Sequence, residues 1–362
     1  MKNGIGRDMP VFDGHNDTLL GLVKAGKGGI NSFLAGSDEG HIDLPGAKKG
    51  GLIGGIFAIC VQAPDSSEES DPMYGFTITD TGYDVKSRSP IDRKYAVEFT
   101  ESALDIVRAI EHEAKGYVRT VFKYGDIEKF RKRDIFSIVL HFEGAEVINK
   151  DLSNLHTYYE RGLRSLGLVW SRPNEFGNGV PYRFPHSPDT GPGLTPSGKD
   201  LVRECNRLGI MIDLSHINEK GFWDVADITR APLVVTHTNV FSLCPSTRNV
   251  TDDQIKAVGS SNGVIGISFV PENLNPHGVP DPDIPLSMIA DHIDYVAREA
   301  SIDHVAFGSD FDGAKLPDAI DNVTKLPELI ATLRDRGYSD EMLGKVTYRN
   351  WLRVFKDTWK PV

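Results

Sequence analysis

Six ionisable residues stand where apolar runs of this chain stop. His15 and Asp17 follow the run in VFDGHNDTLL, Glu143 ends the run in LHFEGAE, His216 closes IDLSH, His237 closes VVTH, and Asp310 lies in FGSDFDG. Residues two apart on a strand point to the same face, so His15 and Asp17 address one point in space. Each taken singly has an ordinary structural explanation, as a hydrogen-bonded histidine at a strand end or a turn favoured by Asp and Gly. Together they need another, because an ion buried without a partner costs several kcal/mol. A metal removes that cost: neutral imidazole and carboxylate oxygen suit zinc, at about 2.0–2.2 Å. Three His, two Asp and one Glu exceed one tetrahedral site, and Glu can bridge two ions through its two oxygens. The inventory fits a two-metal centre with about 3.5–4 Å between ions. Its chemistry is hydrolysis: the metals acidify a shared water and polarise a carbonyl, and a carboxylate shuttles the proton.

The elements that must position these residues are legible as apolar runs bounded by turn residues. Strands are predicted at Pro10–Asp13, Leu52–Val61, Phe136–Phe142, Arg164–Trp170, Ile210–Leu214, Leu233–Thr236, Val264–Phe269 and His304–Gly308. Several are almost continuously apolar, as strands buried on both faces are. Helices are predicted at Arg93–Lys115, Ser197–Leu208, Asn218–Ile228, Thr251–Val258 and Leu286–Ala300, with Ser197 and Thr251 as opening caps. Two more, Val323–Arg336 and Ser339–Trp359, follow the last strand. Strands alternating with helices imply a parallel sheet, and eight of them favour a (β/α)8 TIM barrel with two C-terminal helices. A dinucleotide-binding sheet would carry a Gly-x-Gly-x-x-Gly turn after its first strand, which is missing here. Residues 1–362 read as one domain, without repeat or linker. Two long segments, Ala63–Pro90 and Asn174–Pro196, read as irregular loops that follow strand ends, so in a barrel they lie over the catalytic rim.

Composition narrows the partners. A net charge of −11 over 362 residues argues against nucleic acid. The N-terminal MKNGIGRDMP has no apolar stretch for a signal peptide, the C-terminal FKDTWKPV has no anchor, and no run approaches the roughly 18 apolar residues of a membrane helix. Cys60, Cys205 and Cys244 are too widely spaced for a disulfide framework or a zinc knuckle, so a cytoplasmic protein with reduced thiols is expected.

The same motifs carry a resemblance. FDGHNDT, FEGAE, DLSH, the His237 segment leading to STRNVTDD, VAFGSDFDG and NWLRVF occur in the order seen in the membrane (renal) dipeptidase family of amidohydrolase-like metal-dependent barrels, and span almost the whole chain. The resemblance implies a zinc-dependent dipeptidase of the soluble, bacterial type, cleaving small dipeptides, L-Xaa-D-Xaa among them, with a metal-bridging hydroxide. It implies two zinc ions, one held by His15 and Asp17, the other by His216 and His237, with Glu143 bridging. Asp310 would take the proton from the bridging water and pass it to the leaving amine, and Arg248 in STRN would bind the substrate's C-terminal carboxylate. Asp213 is expected to orient a ligand imidazole, and Asp312 to be structural. A homodimer is the expected assembly; a membrane is not an expected partner.

Two positions depart from the mammalian members. Trp170 stands where they have a substrate-binding His, and it offers only an N–H donor. His141 stands where they have a small residue, and is expected to fill barrel interior rather than to donate to the ligands. From the residues alone, two other readings stay open: a lactonase, phosphotriesterase or deaminase on the same metals, or a metal-binding barrel without turnover.

Overall fold

The computed structural model describes residues 9–71 and 73–360; the first eight and last two residues of the terminal segments read above lie outside them. Eight parallel strands form the barrel: β1 (Val11–Asn16), β2 (Leu52–Cys60), β3 (Phe136–Glu143), β4 (Leu163–Gly167), β5 (Met211–Asp213), β6 (Val234–Thr238), β7 (Val264–Ile267) and β8 (Val305–Phe307). Neighbours in sequence are neighbours in the sheet. The ring closes beyond β8, where the Asp310 amide donates to the His15 carbonyl (3.0 Å) and the Asp17 amide to the Phe311 carbonyl (2.8 Å). All eight predicted strands are present, with ends shifted by a few residues. β4 stops at Gly167, so Trp170 belongs to the loop that follows.

The predicted helices form, with local differences. Pro196–Leu208 is capped by Thr195, whose hydroxyl accepts from the Gly198 amide, and not by Ser197. Ser197 sits inside the first turn because Pro196 already takes the first helical position. Thr251 caps Asp252–Ser260 as expected, in a reciprocal box with Gln254. The last predicted helix runs as Asp340–Gly344, a five-residue π stretch Lys345–Arg349, and Asn350–Thr358. Thr18–Ala25, Lys27–Ala35 and Leu44–Gly50, between β1 and β2, are helices that the Gly-rich sequence there concealed.

Alternation sorts the strand residues into two cores. On β3, Ile138, Leu140 and Phe142 pack outward with the helices, while Val139 packs inside the barrel. The inner core gathers Phe12, Ile56, Val139, Met211, Val234, Val264 and Ala306 around Trp351 and Phe355 of the final helix and Trp359 just past its end. Phe355 lies 5.5 Å from Phe12 and 4.4 Å from Trp359, centroid to centroid. A Cβ on Gly14 would come within 2.2 Å of the Trp351 ring, so only glycine lets the plug seat. The N-terminal mouth is thus filled with aromatic rings, which leaves the opposite mouth for chemistry. Phe355→Ala is expected to lower stability by about 3–5 kcal/mol in urea melts; a loss under 1 kcal/mol would mean the plug contributes little.

The two long loops are not irregular. Phe76–Ile78 and Tyr83–Val85 form a hairpin from the first, and Arg183–Phe184 from the second joins it, pairing Tyr83 with Phe184 and Asp84 with Arg183. Strands of two or three residues that pair across about a hundred positions leave no periodicity to read, so the sequence reading missed this flap.

Candidate metal centre

Parity alone would not aim all these side chains inward. On β1, Asp13 to Asn16 spans three steps against two on β2, Gly55 to Phe57. This bulge inserts one extra residue, so that Phe12 and Gly14 face the plug and yet His15 turns into the same interior. Asp13 is diverted to the strand seam, where its carboxylate accepts from the Ser309 amide and hydroxyl, both at 2.9 Å. β6 repeats the device: Val235 to Thr238 spans three steps against two on β7. Regular alternation with Val234 inside would have sent His237 outward. His216 and Asp310 lie past their strand ends with φ of 64° each, a left-handed conformation uncommon for residues other than glycine.

Glu143 is the hub. Its Oε1 lies 2.9 Å from His216 Nε2, 3.5 Å from His237 Nε2 and 3.7 Å from His15 Nε2. His15 Nε2 is 3.4 Å from Asp17 Oδ2. Two triads, His15–Asp17–Glu143 and Glu143–His216–His237, therefore share one carboxylate. Donors about 2.0–2.1 Å from a tetrahedral ion are about 3.3 Å from one another, close to these separations. The buried His15 Nε2 and Asp17 Oδ1 have no hydrogen-bond partner among the described residues. The Nε2 atoms of His216 and His237 face each other at 2.9 Å.

The far ring nitrogens have hydroxyl partners. His216 Nδ1 meets the Ser171 hydroxyl at 2.7 Å and His237 Nδ1 the Thr236 hydroxyl at 3.0 Å. Thr236 itself donates to Asp213 Oδ2 at 2.6 Å, so its oxygen is left to accept from His237. With Nδ1 protonated, each Nε2 presents a lone pair to the centre. Burial, with the cationic neighbours Arg248 and His15, holds His216 and His237 well below the usual histidine range, as neutral ligands require. Burial and the neighbouring Asp17 push Glu143 up to about 8, against the pull of His15. Burial disfavours a charged His15, but Glu143 and Asp17 outweigh it and push that imidazole up to about 10. The cluster has more converging negative groups than its own cations match, and these residues fit divalent metal ions.

The remaining predicted residues divide between the centre and the layer below it. Asp310 forms a group with His15 and His237. A Cβ on Gly313 would meet Asp17 Oδ2 and Asp310 Oδ1 at 2.3 Å each, so these carboxylates converge over a glycine. Burial pushes Asp310 up to about 6. Asp312 turns away, accepting from the Thr18 hydroxyl and the His41 amide at 2.6 Å each. The buried Arg248 places Nη2 3.2 Å from His216 Nε2. The half-buried Trp170 ring lies 5.7 Å from His216 and carries the Arg172 guanidinium on its face. His141 lies deeper, with Nδ1 2.9 Å from the Ser165 hydroxyl and Nε2 3.5 Å from Asp213 Oδ2. Asp213 stands at one remove from the ligands. Its carboxylate binds the amides and hydroxyls of Ser215 and Thr236, and reaches His237 only through them. Ser171 and Thr236 were missed by the sequence reading, although each adjoins a residue it singled out, Trp170 and His237.

The comparisons with known proteins agree with this fold. The family described as Membrane dipeptidase (Peptidase family M19) matches residues 2–360. The dipeptidase aclJ of Aspergillus oryzae is 30% identical over 356 residues, covering 96% of this chain and 78% of that protein. An uncharacterized protein in the pqqA 5′ region of Klebsiella pneumoniae is 45% identical over 257 residues, 71% of this chain and 95% of that one. Two solved structures superpose with TM-scores of 0.92 at 41% identity, over 97% of this chain and 99% of each. One is the dipeptidase AC, a metallo peptidase of family M19; the other is a metallo peptidase from Rhodobacter sphaeroides liganded with a phosphinate mimic of the dipeptide L-Ala-D-Ala. Among the described residues, no helix is long and apolar enough to cross a membrane, whatever the family's name. A match from one end of the chain to the other, shared with dipeptidases of the same fold, decides the assignment: this protein belongs to the membrane dipeptidase family, peptidase family M19, and is a metal-dependent hydrolase of peptide bonds.

Proposed function

We propose that the protein is a two-zinc dipeptidase in which Glu143 is shared between a His15–Asp17 site and a His216–His237 site. The observation that carries this reading is the position of Glu143 Oε1, within 3.7 Å of all three imidazole Nε2 atoms. Two bound zinc ions would supply an acidified water and an electrophile for the amide carbonyl. Arg248 offers a planar fork to the C-terminal carboxylate of the dipeptide. Asp310 takes the proton from the attacking water and delivers it to the departing amine. Trp170 walls the pocket above His216 and keeps solvent from it, while Ser171 and Thr236 hold the imidazoles in the tautomer that leaves Nε2 free. Asp213 and His141 support that arrangement from below.

The lone free carboxylate that Arg248 can recognise favours dipeptides over lactones or phosphotriesters. Acceptance of a D-residue at the C-terminal position is supported by the Rhodobacter sphaeroides relative, at 41% identity, with its L-Ala-D-Ala mimic. The ring of strands draws on residues 11–311 and is plugged by the last helix, which supports one domain over 1–362. The three cysteines are buried and unpaired, which supports a reducing, cytoplasmic setting.

The test is a screen of L,L and L,D dipeptides with the purified protein, before and after chelation, with metal analysis. Two zinc equivalents per chain are expected, with hydrolysis lost on chelation and restored by zinc. Cleavage that survives complete removal of metal, or no cleavage of any dipeptide, would overturn the reading.

A further inference from the structure

Tyr182 belongs to no motif, and no spacing in the sequence selects it. The flap brings it to the centre. Its carbonyl accepts from the Val85 amide at 2.8 Å. On the other side, Thr247 pins the segment: its hydroxyl donates to the Pro181 carbonyl at 2.5 Å and accepts from the Arg183 amide at 3.1 Å, and its amide donates to the Arg183 carbonyl at 3.2 Å. Thr247 immediately precedes Arg248, so Tyr182 and Arg248 are delivered by two stretches of backbone stapled to each other.

The side chain is half-buried, its ring 6.1 Å from Trp170. Trp170 in turn lies 5.7 Å from the His216 ring, and the next residue, Ser171, meets His216 Nδ1 at 2.7 Å, so the Tyr182 side chain packs against the residues that line the centre. Burial pushes the phenol up to about 12, so it stays a protonated donor across the neutral range. A substrate carboxylate carries about four lone-pair sites. A single guanidinium fork satisfies two of them and leaves the others free to accept from a second donor.

We propose that the Tyr182 hydroxyl donates a hydrogen bond to the substrate's C-terminal carboxylate alongside Arg248, and so helps select for a free carboxyl terminus. This rests on the dipeptidase reading above. A donor to a group that does not change during the reaction strengthens ground state and transition state alike, so its loss appears in KM and not in kcat.

The experiment compares the zinc-loaded wild type with Tyr182→Phe on one dipeptide and on the same dipeptide as its C-terminal carboxamide. KM for the free acid is expected to rise roughly ten- to hundredfold, the loss expected for one hydrogen bond to a charged group. Its kcat should stay within about twofold, and kcat/KM for the carboxamide should not change. Tyr182→Leu, which also lacks the hydroxyl, must show the same acid-selective rise. An unchanged KM, an equal loss on acid and carboxamide, or a fall in kcat at constant KM overturns the inference while the dipeptidase reading stands. A wild type inactive on every dipeptide overturns both.

Discussion

Glu143→Gln should abolish dipeptide hydrolysis, with kcat/KM down by at least about a thousandfold and fewer than two metal ions retained per chain. Gln matches Glu in shape, so the barrel is not distorted. It loses the negative charge and turns one of the two acceptor oxygens into an N–H donor. Both triads pass through this one carboxylate, with three imidazole nitrogens within 3.7 Å. The removal of any other single donor leaves at least one triad whole. Stability should lose part of its pH dependence in the metal-free protein. Burial raises the folded pKa of Glu143 from 4.5 to about 8. Between those values the native state therefore holds more protons than the unfolded chain, and stability falls as pH rises. Gln removes that dependence, together with the charge that holds His15 protonated, so the melting temperature of the metal-free variant should vary less with pH than that of metal-free wild type. Metal content by mass spectrometry and melting curves across this range make the check. Two ions retained, or parallel melting profiles, would remove Glu143 from the shared position.

Which features could be read from residues alone follows from the range of the interactions that make them. Strands such as Phe136–Glu143 are local objects, eight buried residues in a row, and their apolar runs give them away. The alternation of Val139, His141 and Glu143 on one face was legible for the same reason, and it places His141 in the interior where the sequence reading put it. The β1 and β6 bulges are not local. Each exists only relative to the register of the next strand, yet each decides whether its histidine faces the centre. His15 and His237 are found in the sequence because each stands where an apolar run stops; strand parity alone would not aim them at the centre. Asp213 is selected for adjacency to His216, and its link to a ligand imidazole runs through Thr236 on the neighbouring strand to His237. Tyr182 shows the limit most clearly: its carbonyl is held by Val85 and its neighbours Pro181 and Arg183 by Thr247, and its surroundings in sequence say nothing of either.

The position of Asp310 invites a prediction that separates proton transfer from metal binding. Asp310→Asn should lower kcat by roughly a hundred- to ten-thousandfold, the usual contribution of a positioned acid–base group, with metal content close to wild type. Asn is the substitution to make because residue 310 has φ of 64°, which Asn tolerates and Ala does not. The side chain must also fit over Gly313, where Asp17 and Asp310 already converge, and Asn has the same volume. Neither triad that shares Glu143 includes Asp310, so both triads keep their donors. The pH profile adds a readout that a packing role would not move. A carboxylate that accepts a proton must be ionised, so kcat/KM should rise with pH through its pKa. Burial pushes that value up to about 6 in the protein without metal, and bound cations favour the ionised form, so the acid limb should fall at or below about 6. Asp310→Asn should lose this limb along with its rate. A variant with normal metal content and a kcat within threefold of wild type would mean that another group carries the proton.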